Sequence, residues 1–412
     1  MPTKITAGAQ LRILMVAPQP FFRPRGTPFS VLHRIRALCK RGYQVELVTY
    51  PFGEDVQIPG LSINRVNKPP LVRDAKIGPS LAKLALDVPL YRETRRRASE
   101  GAFHVLHSHE EACFFSGALC RKHGLVHVYD MHSSLPQQLT NYKSWNLAPF
   151  RHLFESLERS VLTTCDGVIT ICQDLAEQAL KSCGDTPHAM IENTADDQEM
   201  FGSDIREIRP ELGLCSKTIL LYTGSFEPYQ GLDILLSAFA RIHDRHPEAH
   251  LLLVGGRGPQ VDECRKIASR LGITQKITFT GMVPPSAIPS YIATADIIVS
   301  PRSRGTNTPL KIYGYMRSGK PILASNRHTH TQTLDSTTSY LVEPSAGGIA
   351  EGMDVLLGNP ELGRSLAAKA RQLADEQYSE PVYMQKVWSF YEDVLEHHAR
   401  ADAVPIVSTA AA

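Results

Sequence analysis

The chain has no CxxC pair. Its eight cysteines are scattered from Cys39 to Cys264 at spacings that suit neither a zinc site nor a redox dithiol, so reduced, unligated thiols are expected. Long apolar runs are missing too. No stretch approaches the ~20 apolar residues of a membrane-spanning helix, and MPTKITAGAQLRILMVAPQP holds a brief run that fits a first strand, not the longer core of a signal peptide. A cytoplasmic protein is therefore expected. Charge of one sign is not in excess: 44 Lys and Arg face 42 Asp and Glu, a net +2, which leaves no broad electrostatic footprint for nucleic acid. A GxGxxG fingerprint is lacking, and GGRG at Gly255 to Gly258 reads as a turn. At 412 residues, 42% hydrophobic and 21% charged, the chain has room for two domains, each with its own core.

What is present is an alternation of strand-length apolar runs with helical patterns, the signature of parallel sheets covered by helices. ILMVA, Ile13 to Ala17, is the first strand, and in the loop PQPFFRPRGTPF, Thr27 with Pro28 reads as a helix cap and first-turn residue. A helix from about Phe29 to Lys40 closes at Gly42, and VELVTY returns as a strand. Gly26 thus stands at a strand-to-helix junction, where a missing side chain lets a ligand approach the backbone; plain turn chemistry accounts for it equally. LSINRV is a further strand. PSLAKLALDVPLYRETRRR is apolar at helical spacing, with Pro89 as a kink and a basic end at Arg92, Arg95, Arg96 and Arg97. Two readings of that segment stay open: a surface helix with a solvated charged end, which is preferred, or a helix lying against an anionic membrane.

FHVLHSH, EEACFFSGALCRKHG, VHVYDMH, a helix from about Phe150 to Leu162, GVITIC, another helix and HAMIEN complete a first domain. His107, His109, Glu110 and Glu111 look like metal ligands, but no further ligand cluster at suitable spacing supports them, and no metal site is expected. His132 lies just beyond the carboxyl end of VHVYD, where α/β sheets place ligands, with a structural histidine as the alternative. Asp196 to Pro210 is polar and aperiodic and suits a linker. TILLYTGSF, LDILLSAFARIHDRH, LLLVGG, a helix ending near Leu271, KITFTG, a short helix around Tyr291 and DIIVSP repeat the same grammar, with helices over Ile349 to Ala374. The expected division is a first Rossmann-like domain over 1–200, a second over 210–377, a helix over 378–400 packing back toward the first, and a disordered tail over 401–412.

The stretch SPRSRGTNTPLKIYGYMRSGKPILAS, Ser300 to Ser325, joins a strand end to a polar loop, a short helix and a return strand. Thr308 reads as the helix cap and Pro309 as the first-turn residue, while Gly319 and Pro321 stop the helix. A helix start behind small polar residues offers N–H groups to an anion, and Lys311 adds a positive charge, so the segment is a candidate diphosphate site. An ordinary βα turn has the same signals.

Taken in order, YTGSFEPYQGLDILLSAF, LLLVGG, ITFTGMVP, DIIVSPR and TPLKIYGYMRSGKPILAS, with PRGTPFSV and DMH in the first half, carry a resemblance. The chain resembles the GT-B-fold glycosyltransferases, specifically the large retaining group called family 4, from about Arg12 to Tyr391. The resemblance implies two Rossmann-like βαβ domains facing each other across a cleft. It also implies transfer of a sugar, with retention and without a metal or other cofactor, from a UDP- or GDP-linked donor held mainly by the second domain. Gly26 would then lie near the diphosphate and His132 near the sugar. The acceptor is left open among a glycan, a lipid-linked saccharide and a small molecule, with peripheral contact at the inner membrane face allowed.

Departures from the family pattern are specific. The usual Arg and Lys that clamp the diphosphate align with Ser225 and Gln230, and the Glu-x7-Glu pair would fall at Thr306 and Gly314. A variant donor site would rely on Thr308, Pro309 and Leu310 at the helix start, on Lys311, Arg302 and Arg304 for charge, and on Thr306 and Asn307 as hydrogen-bond donors. The alternatives are a non-catalytic GT-B-fold partner of another transferase, and a sugar phosphorylase or nucleotide-sugar epimerase.

Overall fold

The structure is a computed structural model that describes residues 10–23, 26–70, 72–75, 80–134, 148–194, 205–305 and 307–403. Two compact units are present: Met1–Asn193 with Tyr383–Ala412, and Thr194–Val382.

The first unit runs β1 (Arg12–Ala17), α1 (Gly26–Lys40), β2 (Gln44–Thr49), β3 (Leu61–Arg65), α2 (Leu81–Glu100), β4 (Val105–His109), α3 (Cys113–His123), β5 (Val126–Met131), α4 (Ala148–Thr164), β6 (Gly167–Thr170), α5 (Gln173–Leu180) and β7 (His188–Met190). Its sheet has the order β3-β2-β1-β4-β5-β6-β7, and every neighbouring pair is parallel. Helices cover both faces of such a sheet, which is why ILMVA is apolar without alternation and buried throughout. Leu14, Val16, Val48 and Leu106 pack under Leu86 and Leu90 of α2, while Tyr129, Met131 and Val168 pack under Val161 and Leu162 of α4.

The second unit runs α6 (Arg209–Leu212), β8 (Thr218–Gly224), α7 (Leu232–Phe239), β9 (Ala249–Gly255), α8 (Gly258–Arg270), β10 (Ile277–Gly281), α9 (Ile288–Thr294), β11 (Ile297–Ser300), α10 (Lys311–Arg317), β12 (Ile322–Ser325), α11 (His328–Thr331), β13 (Tyr340–Val342), α12 (Ala346–Gly358) and α13 (Pro360–Gln377). Its sheet order is β10-β9-β8-β11-β12-β13, again all parallel. The last helix, α14 (Glu380–Ala403), belongs to the first unit from Tyr383 onward. There Trp388 Nε1 donates to the Ala37 carbonyl at 2.7 Å and His398 Nδ1 meets Asp166 Oδ1 at 2.8 Å. Gly167 makes this packing possible, since a Cβ on it would lie 2.4 Å from Val394.

Several local readings need correction. α1 begins at Gly26, so Thr27 and Pro28 lie inside its first turn, and the Thr27 hydroxyl turns toward Glu110 instead of capping. α10 begins at Lys311 with no side-chain cap, because a tight turn (Ile312 N–H to Pro309 O, 2.9 Å) precedes it and the Thr308 hydroxyl lies beside that of Thr333. α7 ends at Phe239, well short of the helical pattern through His246. α14 continues to Ala403; residues 404–412 of the expected tail and 196–204 of the expected linker lie outside the described residues. All eight cysteines are free thiols.

Both sheets reverse direction of strand succession once, between β1 and β4 in the first unit and between β8 and β11 in the second. Crevices outside the carboxyl ends of strands at such points are where open α/β sheets hold ligands.

Candidate functional site

In the first unit, the carboxyl ends of β1, β4 and β5 bring together the start of α1, the turn after His109, and the segment after Met131. Gly26 is the first residue of α1, and a Cβ on it would meet nothing within 4 Å. Glu110 is the one described non-glycine residue at positive φ, 48°. Its carboxylate accepts from the Ser133 hydroxyl at 3.0 Å and faces the Thr27 hydroxyl at 3.5 Å. Left-handed backbone costs a side chain energy and is retained where surrounding structure demands it, commonly at functional sites. Burial raises the Glu110 carboxyl above the ordinary range.

His132 is buried just behind this turn, within a network centred on Asp130. Arg34 Nε donates to Asp130 Oδ2 at 2.8 Å, and both side chains are almost fully buried. His107 Nε2 lies 3.3 Å from the same oxygen, and its Nδ1 is 2.6 Å from the Tyr391 hydroxyl. His109 Nδ1 is 2.9 Å from His132 Nε2, which in turn lies 3.5 Å from Asp130 Oδ1. Burial alone would raise the Asp130 carboxyl, but Arg34 and the surrounding histidines outweigh it and hold Asp130 well below the ordinary carboxylate range. Burial lowers His107, and pushes His109 further down, so both rings are neutral at physiological pH.

His107, His109 and Asp130 each offer one ligand atom, all within 4.8 Å of one another. The donor set nevertheless fits a metal poorly. Asp130 Oδ2 already holds a guanidinium, whose permanent positive charge would repel a second cation at contact distance. The cluster is organised around the cation of Arg34.

In the second unit, the loops after β8 and β11 are tied together. Ser303 N–H donates to the Tyr229 carbonyl at 2.9 Å, and Gly231, at φ 73°, lets the Pro301 carbonyl approach to a point 2.3 Å from where a Cβ would stand. Ser225 is exposed, and its carbonyl accepts from the Tyr222 hydroxyl at 2.7 Å. Gln230 is buried, with no hydrogen-bond partner for its Oε1 among the described residues. Arg302 stacks over Tyr229 at 5.2 Å and donates to the Arg304 carbonyl at 2.8 Å; Gly305, at φ 126°, leaves the space that the guanidinium fills. Arg304 itself is exposed.

Lys311 Nζ donates to the Thr223 carbonyl at 3.1 Å and stands 3.6 Å from the position of a Cβ on Gly224. Burial, and then the nearby Arg302 charge, hold it well below the ordinary lysine range, while burial also lowers Arg302. Neither cation has a carboxylate partner among the described residues. Asn307 and Leu310 are partly buried, Thr308 and Pro309 are buried, and Thr306 lies outside the described residues. The structure thus brings Ser225, Lys311 and Arg302 to one sheet end. It places Gly26 and His132 at the corresponding end of the other sheet.

Three features escaped the sequence reading. His330 buttresses the second loop: its Nε2 meets the Ser300 hydroxyl at 2.9 Å and its Nδ1 meets the Ser325 carbonyl at 2.9 Å, and burial lowers it to about 4. Arg34 and Asp130 pair across ninety-odd positions, which no local pattern reveals. GGRG is more than a turn. Gly256 (φ 75°) and Gly258 border a cavity of about 360 Å3 with Arg257, Arg265, Phe279 and Met282, at the carboxyl ends of β9 and β10. Three glycines beside a strand end were the available signal.

Comparison with known proteins agrees with this architecture. Residues 204–373 match the family described as Glycosyl transferases group 1, and residues 24–199 match Glycosyltransferase Family 4. A phosphatidyl-myo-inositol mannosyltransferase of Mycobacterium leprae is 25% identical over 388 residues, 93% of this chain and 97% of the relative. A GDP-mannose-dependent alpha-(1-6)-phosphatidylinositol monomannoside mannosyltransferase of Mycolicibacterium smegmatis is 27% identical over 175 residues, 40% of this chain and 46% of that protein. Among solved structures, sucrose-phosphate synthase from Thermosynechococcus elongatus superposes with TM-score 0.74 at 19% identity, covering 94% of this chain and 99% of the other. Anabaena HepE in complex with UDP gives TM-score 0.71 at 17% identity, covering 93% and 100%. These structural likenesses concern the fold.

Proposed function

We propose that this chain, which belongs to the group 1 glycosyltransferases of GT-B fold, takes its sugar from a nucleoside diphosphate donor, UDP- or GDP-linked, and passes it to a lipid-linked saccharide or related glycan with retention and without a metal. The observation that carries the reading is the pair of basic side chains, Lys311 and Arg302, at the switch point of the second sheet with no carboxylate partner among the described residues. A partly buried cation without an anion is costly, and a diphosphate seated at Gly224 and Ser225 would supply the missing charge.

The chemistry follows from that placement. As the bond from the anomeric carbon to the diphosphate breaks, negative charge grows on the leaving phosphate, where preorganised cations stabilise it most. The acceptor oxygen forms its bond on the same face, and its proton passes to a leaving-phosphate oxygen. By the family resemblance, His132 would serve the sugar, and Gly26 leaves the start of α1 open to an anion. The cavity beside Gly256 and Gly258 is of a size and polarity for the nucleotide base.

A lipid-linked acceptor and contact with the inner membrane face find support in α2. No helix among the described residues is long and apolar enough to cross a membrane. Leu81, Leu84, Val88 and Tyr91 are nonetheless 78%, 55%, 50% and 37% exposed along one face of α2, and Arg92 and Arg95 follow on that face without ion-pair partners among the described residues. The named activity of the mycobacterial relatives on phosphatidylinositol compounds favours the same acceptor class.

The deciding experiment is a thermal-shift screen against UDP, GDP, ADP and TDP and their common sugars, first with EDTA and then with Mg2+. A ligand bound only to the native state raises the melting temperature with its occupancy. A rise with one nucleotide in EDTA is expected and names the donor class. No rise with any of them would sink the donor site and leave a non-catalytic GT-B-fold partner as the better account.

A further inference from the structure

We propose that His109 and Asp130 are positioning residues that keep the ring proton of His132 on Nε2 and leave Nδ1 as that ring's acceptor. The catalytic consequence rests on the placement of His132 near the sugar; the tautomer itself does not.

The last helix, α14, fixes the first proton of the network. The Tyr391 hydroxyl lies 2.6 Å from His107 Nδ1, and His107 Nε2 lies 3.3 Å from Asp130 Oδ2. A carboxylate accepts only, so His107 carries its proton on Nε2, and its Nδ1 accepts from the tyrosine. Arg34 Nε donates to the same Asp130 oxygen. With Oδ2 taken by these two donors, Oδ1 is the oxygen that faces His132. It is buried, has no hydrogen-bond partner among the described residues, and lies 3.5 Å from His132 Nε2.

His132 Nε2 therefore looks toward two groups at once, the Asp130 carboxylate and His109 Nδ1 at 2.9 Å. Two arrangements satisfy the short contact between the imidazoles. If His109 donated, the Nε2 lone pair of His132 would face a full negative charge. If His132 donates, its N–H points at one lone pair and lies beside the charge, while the His109 Nδ1 lone pair stands farther from the carboxylate, 3.9 Å from the Asp130 Oδ2 that Arg34 and His107 already occupy. The second arrangement puts the His109 proton on its own Nε2, a buried atom without a hydrogen-bond partner among the described residues. That loss concerns a dipole, whereas the first arrangement sets a lone pair against an ion in a dry interior, so the carboxylate decides. His109 is clamped in place by its neighbours: its ring lies 4.6 Å from that of His107 and 5.1 Å, stacked, from that of His132.

Among the described residues, the charged and titratable groups around His132 include Asp130 on β5, which leads into it, His107 and His109 on β4, Glu110 on the turn that follows, and Arg34 on α1. Asp130 backs the nitrogen that carries the proton. The other nitrogen keeps one identity, which a residue serving the reacting sugar requires and a merely space-filling histidine does not.

The test is a long-range proton–nitrogen correlation spectrum of the whole protein labelled on histidine with 15N, with His132 assigned by its disappearance in His132→Gln. At pH 8 the His132 pattern is expected to show a protonated Nε2 and an unprotonated Nδ1. A proton on Nδ1 in the unaltered protein overturns the assignment, whatever the enzyme does. His109→Phe and Asp130→Asn are expected to populate the other tautomer; a pattern unchanged in both, in proteins that stay folded at the temperature of the spectrum, overturns the positioning role.

With the donor found by the melting screen, turnover is read as release of nucleoside diphosphate. His109→Phe is expected to lower kcat about 10- to 100-fold at constant donor KM, as loss of an orienting partner does elsewhere. His109→Asn offers Oδ1 where Nδ1 stood and should recover most of that loss; equal kcat in His109→Phe and the parent overturns the inference. Full turnover by His132→Gln would overturn the sugar-side placement of His132, a separate failure from that of the tautomer.

Discussion

The ammonium of Lys311 stands 3.9 Å from the ring centre of Tyr222 and donates to the Thr223 carbonyl, in a site that holds no carboxylate for it among the described residues. Tyrosine face and carbonyl oxygen stabilise a cation only in part. Burial, helped by Arg302, therefore depresses its protonation.

Binding of a nucleoside diphosphate should reverse that depression, because an anion next to the amine favours its charged form. Proton uptake on binding is expected at a pH between the free and the bound pKa of Lys311, and affinity should fall as pH climbs through the bound value. Titration calorimetry of the diphosphate in two buffers of different ionisation enthalpy measures this directly. Lys311→Ala should abolish the uptake and weaken binding by roughly 1.5–3 kcal/mol, the worth of a charge-assisted contact. Identical heats in both buffers, or unchanged affinity in the variant, would remove Lys311 from the site.

The ion pair of Arg34 with Asp130 makes a claim about stability. Removing one partner of a buried pair leaves the other uncompensated, which costs about 3–5 kcal/mol. Arg34→Met should show such a loss at pH 7 by urea unfolding. In the parent, Asp130 is held well below its ordinary 3.8, so its contribution is present above that pH and lost as pH falls through the folded value. Without Arg34, burial raises Asp130 instead, and protonation relieves the penalty on acidification. The gap between parent and variant should narrow from pH 7 toward pH 4. A gap independent of pH would mean that Asp130 is not the group left uncompensated.

The fold was legible because it depends on short-range signals. ILMVA, VHVYD, LLLVGG and DIIV are apolar without alternation, and parallel strands covered on both faces leave that trace. The candidate site was legible only where a residue sits directly at a strand end. His132 and Gly26 could be placed by counting from the strand, and Lys311 by counting from Ser300. Side-chain direction could not. Lys311 was read as a charge in the first turn of a helix, yet it reaches back across the sheet end to β8 because the chain stays in a tight turn until Leu310. Arg34 lies in the middle of α1, where an arginine usually faces water, and only the fold brings Asp130 under it. His107 and His109 suggested metal in the sequence for the same reason that they cluster in the structure. What separates the two readings is a guanidinium from another element.

α2 carries the last expectation. Its outer face changes character along its length, from Leu81, Leu84, Val88 and Tyr91 to Arg92, Arg95 and Arg96. Arg96 is already engaged with Glu93 and Glu100 on its own helix, whereas Arg92 and Arg95 have no ion pair among the described residues. An apolar stripe ending in unpaired cations matches a bilayer surface with anionic headgroups, with each basic residue near the surface worth about 1 kcal/mol. Co-sedimentation with vesicles containing phosphatidylglycerol should therefore exceed that with pure phosphatidylcholine, and added salt should weaken it. Arg92→Gln with Arg95→Gln should cut binding about 30-fold, while Arg96→Gln should do little. Leu84→Glu with Val88→Glu should abolish binding and leave turnover on a water-soluble acceptor intact, since neither side chain enters the donor site. If Arg96→Gln weakens binding as much as the double variant, the effect is one of net charge, and the face of α2 is not what meets the membrane.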